Sequence, residues 1–267
     1  VSALSATPLV SCLMVTRPSP ERFERFKLSL ADYLRQTHAA CELVIVLDPR
    51  ADAPATAAAR AQIGALARED IRIVAPAAAA SLGALRNVSV EAARGAILCV
   101  WDDDDRHHPE RLAQQARALR AGEHEGLCLQ HVAHYFAADR RLHVANWIKT
   151  PAGGLPSTLM CRRDASIAYP ESGPSADLGE DIAPLEQLKG RSGFGLLTDA
   201  PHLYVYVYHG GNSWGEAHHR RLASELGLSQ GLLRRREAEL RAGLAAFDFG
   251  RGAITVEGRA GPAFVIG

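Results

Sequence analysis

The chain has 267 residues, 47% of them apolar, and its 30 basic side chains balance 30 acidic ones. That length can bury a sizeable core, as one large domain or one domain with an appendage; the zero net charge excludes a global field that would draw nucleic acid or an anionic membrane. No apolar run approaches the roughly 18 residues that span a bilayer and no secretory signal pattern is read, so a cytoplasmic location is expected, the inner face of the membrane included.

The first element is a continuous apolar strand, Val10 to Val15. Ser19-Pro20 opens a helix, with Ser as N-cap and Pro at the first helical position; Phe23, Phe26, Leu30 and Leu34 share one face of it. Glu42 to Leu47 is a second buried strand, ending at Asp48-Pro49. An Ala-rich helix around Ala57 to Ala67, a short strand Ile71 to Val74, and a helix from Ser81 to Arg94 closed by Gly95 follow. A strand then ends at Trp101, the acidic run Asp102-Asp103-Asp104-Asp105 comes next, and a helix opens at Pro109. Strands alternating with helices in this way imply an α/β fold with a mainly parallel, doubly wound sheet. Ligands of such sheets bind beyond the carboxyl ends of the strands, where Thr16, Asp48 and Asp102 to Asp105 all stand.

The second half is less regular. His131 to Phe136, Leu142 to Ile148, Thr158 to Cys161 and the alternating Leu203 to Tyr208 read as strands. Residues 169–179, rich in Pro, Ser and Gly, read as a surface loop, and Glu180 to Leu188 as a helix with Pro184 in its tolerated first turn. His219 to Phe247 forms one or two amphipathic helices, and Ile254 to Ile266 a terminal hairpin. Arg234-Arg235-Arg236 is a solvated helix face, or a contact for phosphates or anionic headgroups. The dispersed cysteines, Cys12, Cys41, Cys99, Cys128 and Cys161, lack metal-type spacing and read as reduced thiols.

Four carboxylates at a strand end repel, each raising its neighbour's pKa. A cation resolves that cost, and hard oxygen ligands select Mg²⁺ or Mn²⁺. A solvated acidic turn is the plainer reading, but the strand before it and the Pro-led helix after it count against that. An EF-hand loop needs a glycine and a distal Glu that are absent. The spacing Asp102-x-Asp104 suits one carboxylate on a bound sugar or base and the other on a metal.

The segment Trp101-Asp-Asp-Asp-Asp-Arg-His-His-Pro109-Glu-Arg-Leu112 resembles the metal-binding segment of family 2 glycosyltransferases of the GT-A fold. Val10 to Thr16 resembles the first strand of that family. Gln36-Thr37 before Glu42 to Asp48 resembles its second strand with the acidic residue that reads the base. Leu85-Arg86-Asn87 resembles its nucleotide-side helix, and Gly179-Glu180-Asp181 its acidic catalytic motif. The likeness covers roughly residues 8–215, carried by the order and spacing of motifs that are each weak alone.

What the resemblance implies is a GT-A domain over residues 1–216, its nucleotide-binding half about 8–108 and its acceptor half about 109–216, with 217–267 as a C-terminal appendage. It implies a metal-dependent, inverting, hexosyltransferase-type enzyme that uses a nucleotide sugar, UDP-sugar above GDP- or dTDP-sugar, with Mn²⁺ or Mg²⁺ and a saccharide or lipid-linked hydroxyl acceptor, in bacterial polysaccharide or glycoconjugate biosynthesis. Asp181 is then the general base, or an N-cap, and Glu180 orients the acceptor. Thr16, Asp48, Arg86, Asp102 and Asp103 face the nucleotide. Asp104, Asp105 and His209 hold the metal, His209 having an ordinary strand end as its alternative. Trp214, Asn212, Ser157 and Thr158 line the sugar and acceptor region. Peripheral membrane association or a homodimer is compatible with the C-terminal helices.

Rivals remain at this stage. Gly211-Asn212-Ser213-Trp214-Gly215 satisfies the nucleophile-elbow pattern of serine hydrolases, yet the histidines after Ser213 are only His218 and His219, against the required chain order. A sugar nucleotidyltransferase should carry a Gly-rich basic loop after the first strand, where Thr16-Arg17-Pro18-Ser19-Pro20 stands. An inactive nucleotide-binding relative is opposed by the presence of both Asp104 and Asp181.

Overall fold

Buried strands alternating with capped helices build the first hundred residues. The computed structural model describes residues 7–191 and 193–267. In chain order the elements are β1 (Val10–Thr16), α1 (Pro20–Leu34), β2 (Cys41–Leu47), α2 (Ala53–Ala65), β3 (Ile71–Val74), α3 (Leu82–Ala92), β4 (Ile97–Val100), β5 (Arg106–His107), α4 (Arg111–Ala121), β6 (Gly126–Leu129), β7 (His131–Phe136), β8 (Arg141–Asn146), β9 (Met160–Arg162), α5 (Ile182–Lys189), β10 (Phe194–Leu197), β11 (Tyr204–Tyr208), α6 (Glu216–Leu226), α7 (Gln230–Arg235), α8 (Glu237–Leu244), β12 (Ile254–Gly258) and β13 (Gly261–Ile266). Ser19, Asp52 and Ser81 each accept a backbone N–H at the start of α1, α2 and α3, the role expected of short polar side chains at an N-cap.

Among the described residues the strands form two sheets. The first runs β10-β6-β9-β4-β1-β2-β3. β1 lies parallel between β2 and β4, and β9 alone is antiparallel to its neighbours. The mixed α/β architecture with a mainly parallel central sheet is thus as the sequence pattern predicts. The second sheet, β13-β12-β8-β7-β11-β5, is not anticipated as a unit. Asp102 to Asp105 form the link between them, from the end of β4 in one sheet to β5 in the other.

Three differences from the sequence reading have local causes. The C-terminal helical region starts at Glu216 and has three short helices. Gly227 ends the first, and Ser229 caps the second by accepting from Leu232 N. Thr158 belongs to a single 3-10 turn, and the strand after it begins only at Met160. The four-residue strands β6 and β10 and the two-residue β5 carry too little periodic signal to be read from sequence.

The expected boundary at residue 216 is crossed by a sheet and by a core. β12 pairs in parallel with β8. Leu233, Leu240, Leu244 and Val256 pack in one cluster with Ala133, Val144, Val205 and Val207. Arg106 Nη1 also donates to Asp248 O at 2.7 Å. Leu240 is 1% exposed, so Leu240→Ala is expected to cost about 2–5 kcal/mol. Calorimetry should show the whole melting transition moving down; a separate early transition with the main one unmoved would make residues 217–267 an independent unit.

Candidate active site

The acidic run is ordered by a different set of partners for each carboxylate, with Arg22 shared by Asp103 and Asp104. Its backbone is pinned first. Trp101 N donates to Leu13 O of β1, and the buried Trp101 indole donates to Ser29 Oγ at 3.1 Å. Ser29 Oγ in turn donates to Asp102 O at 2.9 Å. His107, stacked on Trp101 with ring centroids 3.8 Å apart, places Nε2 3.1 Å from that same carbonyl. Arg111, fully buried, donates to His107 Nδ1 and to Val100 O, so His107 carries its proton on Nε2 and donates it to Asp102 O. Sequence reasoning gave His107 no role; it is a brace for the turn.

Asp102 Oδ1 accepts from Arg86 Nη2 at 3.2 Å. Asp103 is 3% exposed and takes Thr16 Oγ1 at 2.5 Å and Arg22 Nη2 at 2.6 Å. Burial pushes its carboxyl up, and Arg22 only partly offsets this. Asp104 Oδ2 lies 3.1 Å from His209 Nε2 and 3.2 Å from Arg22 Nη2. Burial raises Asp104, but His209 and Arg22 outweigh it and hold the carboxyl below its ordinary value. Asp105 is 2% exposed. The Tyr204 hydroxyl donates to its Oδ2, and Val207 N to its Oδ1 at 2.7 Å. Burial, then the charges of Asp104 and Asp102, push Asp105 well above the carboxylate range.

Two expectations change here. Asp105 has both oxygens engaged by β11 and ties the two sheets together, so it is a structural carboxyl and not a metal ligand. Thr16 and Asp103 bond to each other, so Thr16 anchors the acidic run and does not face a base.

A loop clamped onto α3 delivers the second acidic pair. Asn87 donates to Tyr169 O and accepts from Tyr169 N, and Asp177 accepts from Leu82 N at 2.9 Å. Gly83 allows the close approach, since a Cβ there would sit 1.9 Å from Pro170 O. Gly179, at φ +79°, then turns the chain into Glu180 and Asp181. Arg86 Nε donates to Glu180 Oε1 at 2.7 Å while its Nη2 holds Asp102, so one buried guanidinium joins both acidic segments. Asp181 occupies the N-cap position of α5 without making a side-chain capping bond. Burial, with Glu180 adding to it, raises Asp181 from 3.8 to about 7.

Two clefts meet over these strand ends. One, of about 160 Å³, is lined by Arg86, Asp102 to Asp105, Ser157, Glu180, Asp181, Tyr206, Asn212 and Trp214. The other, of about 700 Å³, is lined by Arg17, Asp48, Arg50 and Asp52, and falls in the range of small-molecule sites, about 300–1,000 Å³. Asp48 is gripped by Arg50, whose Nε and Nη2 lie 2.7–3.1 Å from its oxygens. Ser157 reaches the first cleft, but Thr158 is fully buried, donating to Leu155 O and accepting from Leu129 N. Asn212 shapes the His209–Trp214 loop by accepting from His209 N and donating to Val207 O. Trp214, 40% exposed, stacks on His218 at 4.6 Å. Ser213 is exposed and carries no hydrogen bond to a histidine or carboxylate among the described residues, so nothing there activates it as a nucleophile.

For a divalent ion the donor set is small. No three His, Cys, Asp or Glu side chains gather into a metal-holding group among the described residues. The 3.1 Å between His209 Nε2 and Asp104 Oδ2 matches the edge of an octahedron with bonds of about 2.1 Å, near 3.0 Å. Gly211 N donates to His209 Nδ1 at 3.2 Å, leaving the ring proton on Nε2, where an ion would replace it; Gly211 N–H would then have to turn aside. Two protein ligands with phosphate oxygens and water completing the shell is the usual form of a Mg²⁺-type site, so Asp104 and His209 fit the group.

A mainly parallel sheet with carboxylates at its strand ends, beside two joined clefts, is the arrangement expected of the GT-A class of glycosyltransferases. The chain belongs to glycosyl transferase family 2, whose model matches residues 13–165, and it is therefore a glycosyltransferase. Similar solved structures include S. aureus TarS 1-349, at TM-score 0.57 and 15% identity over 88% of this chain and 73% of that one. The same TarS fragment in complex with UDP-GlcNAc gives TM-score 0.56 at 16% identity, over 88% and 66%. Mannosyltransferase PcManGT from Pyrobaculum calidifontis, in complex with GDP-Man and Mn²⁺, gives TM-score 0.57 at 14% identity, over 91% and 69%. At such identities the likeness speaks for the fold. No curated protein sequence matches the chain, and no described helix is long and apolar enough to cross a membrane.

The unequal roles of neighbouring aspartates predict unequal costs. Asp105→Ala strands Tyr204 and Val207 N and should destabilise by about 2–4 kcal/mol, whereas Asp104→Ala should cost about 1 kcal/mol or less. Denaturant titration of both variants checks this, and the reverse order would return Asp105 to the ligand set.

Proposed function

We propose that this chain transfers a sugar, with inversion, from a nucleoside-diphosphate donor to a hydroxyl acceptor, with Asp181 as the base. The observation that carries the proposal is the uncapped Asp181 carboxyl, raised to about 7, lining one cleft with Asp102 and Asp104. A general base works best with a pKa near the working pH. The acceptor hydroxyl gives its proton to Asp181 as its oxygen bonds to the anomeric carbon, and the bond from that carbon to the diphosphate breaks. Glu180, fixed by Arg86, keeps Asp181 raised and is placed to orient the acceptor.

Asp48 and Arg50 line the nucleoside cleft and offer acceptors and donors to a base edge. Asp104 and His209 would hold Mn²⁺ or Mg²⁺, which when bound neutralises the charge on the departing diphosphate. TarS with UDP-GlcNAc and PcManGT with GDP-Man support a nucleotide-sugar donor; UDP-sugar is our assignment. Exposed Trp214 and Leu178 at the cleft suit the apolar face of a saccharide or lipid-linked acceptor. A role in polysaccharide or glycoconjugate synthesis follows from that acceptor class.

A thermal-shift panel of nucleoside diphosphates, with and without Mn²⁺, tests the donor. Stabilisation by UDP, larger with the metal, is expected, and no response to any diphosphate overturns the proposal. Asp181→Asn should abolish transfer while UDP affinity stays within about twofold; unchanged turnover removes Asp181 as base. Since the base must be ionised, kcat/KM should fall about tenfold per pH unit below about 7 and level off above it. The stability effect has the opposite sense. The unfolded chain ionises Asp181 near 3.8 and the folded one near 7, so this group lowers stability as pH rises through that window. At pH 8 Asp181→Asn should therefore melt above the parent, and a lower Tm would contradict the raised carboxyl.

A further inference from the structure

The two clefts share five lining residues, Val15, Arg22, Leu82, Asp177 and Ser213. In the transferase reading the nucleoside occupies one cleft and the sugar the other, so the diphosphate linking them must cross where they join. Arg22 is the one cation among the shared residues. It comes from the first turn of α1, set by the Ser19 cap. Its Nη2 makes both contacts to the acidic run, to Asp103 at 2.6 Å and Asp104 at 3.2 Å, while its Nε is buried without a partner. A guanidinium has five donors in a fixed fork, and Arg22 uses one nitrogen on carboxylates. It also sits on the same Asp104 oxygen that faces His209.

We propose that Arg22 is a diphosphate-binding residue and a built-in counter-cation that shares Asp104 with the divalent ion. Nucleoside diphosphate binding then has a metal-independent part carried by Arg22, and a metal entering at Asp104 must compete with the guanidinium. A charge-assisted contact to phosphate is among the stronger hydrogen bonds.

This rests on the glycosyltransferase reading, and calorimetric titration of the 267-residue chain with UDP, GDP and uridine, in EDTA and in Mn²⁺, separates the two. Arg22→Met should weaken diphosphate binding in EDTA by about tenfold or more, leave uridine affinity unchanged, and tighten Mn²⁺ binding in the absence of nucleotide. Arg22→Lys keeps the charge but not the fork; it serves if the Met variant is unfolded by circular dichroism, and should lose part of the EDTA affinity. Diphosphate binding in EDTA that is absent in the parent, or equal in parent and variant, with Mn²⁺-dependent binding intact, overturns the Arg22 proposal and leaves the transferase standing. No diphosphate binding under any condition overturns both.

Discussion

Four adjacent carboxylates at the end of a buried strand must each be held by counter-groups from elsewhere in the chain, and that requirement organises the site. Asp102 is held by Arg86 from α3, Asp103 by Thr16 and Arg22 from β1 and α1, Asp104 by Arg22 and His209, and Asp105 by Tyr204 and Val207 of β11. The partners come from both sheets. Were the second sheet displaced, Asp105 would lose both its partners and Asp104 would keep only Arg22, so repulsion within the run would be less well opposed in a buried setting. The acidic run is therefore a structural bridge and a chemical site in one segment.

The bridge runs on into the second sheet, whose opposite edge is formed by the C-terminal hairpin. β5 begins immediately after Asp105 and pairs with β11, and Arg106 reaches both Asp32 of α1 and the carbonyl of Asp248. Charge compensation at the strand end is thus continued into the core behind it. The same economy appears on the other side of the cleft, where Arg86 serves Asp102 and Glu180 together. Glu180, held by Arg86, stays beside Asp181 and helps keep its proton affinity high.

Much of the first half could be read directly. Ser19-Pro20 and Ser81 open their helices as local signals, and β1 and β2 are apolar runs that become central strands, with β3 beside them at the edge of the sheet. Asp48 and Asp102 to Asp105 stand at the ends of β2 and β4, as the alternation of strands and helices implied, whereas Glu180 and Asp181 stand at the N-terminus of α5. Arg22 lies outside the motifs, and His107 lies inside one that gives it no role; each gains a role only when α1 and β5 are brought against the acidic run. Thr158 failed as a site residue because its hydroxyl is used locally, by Leu155 O and Leu129 N.

The pattern of residues along the chain was enough to declare an α/β sheet, a strand-end acid cluster and a family of sugar-transferring enzymes, since periodicity, caps and short motifs are local properties. It could not say which of four neighbouring aspartates meets solvent, which meets a tyrosine and which meets an arginine. Those assignments depend on the direction each side chain takes when two sheets close on one turn. Burial and partner charge then split near-identical carboxyls into a raised Asp105, a lowered Asp104 and, across the cleft, an Asp181 near neutrality. Only packing at long sequence separation sets that difference, because desolvation and Coulomb attraction act through space.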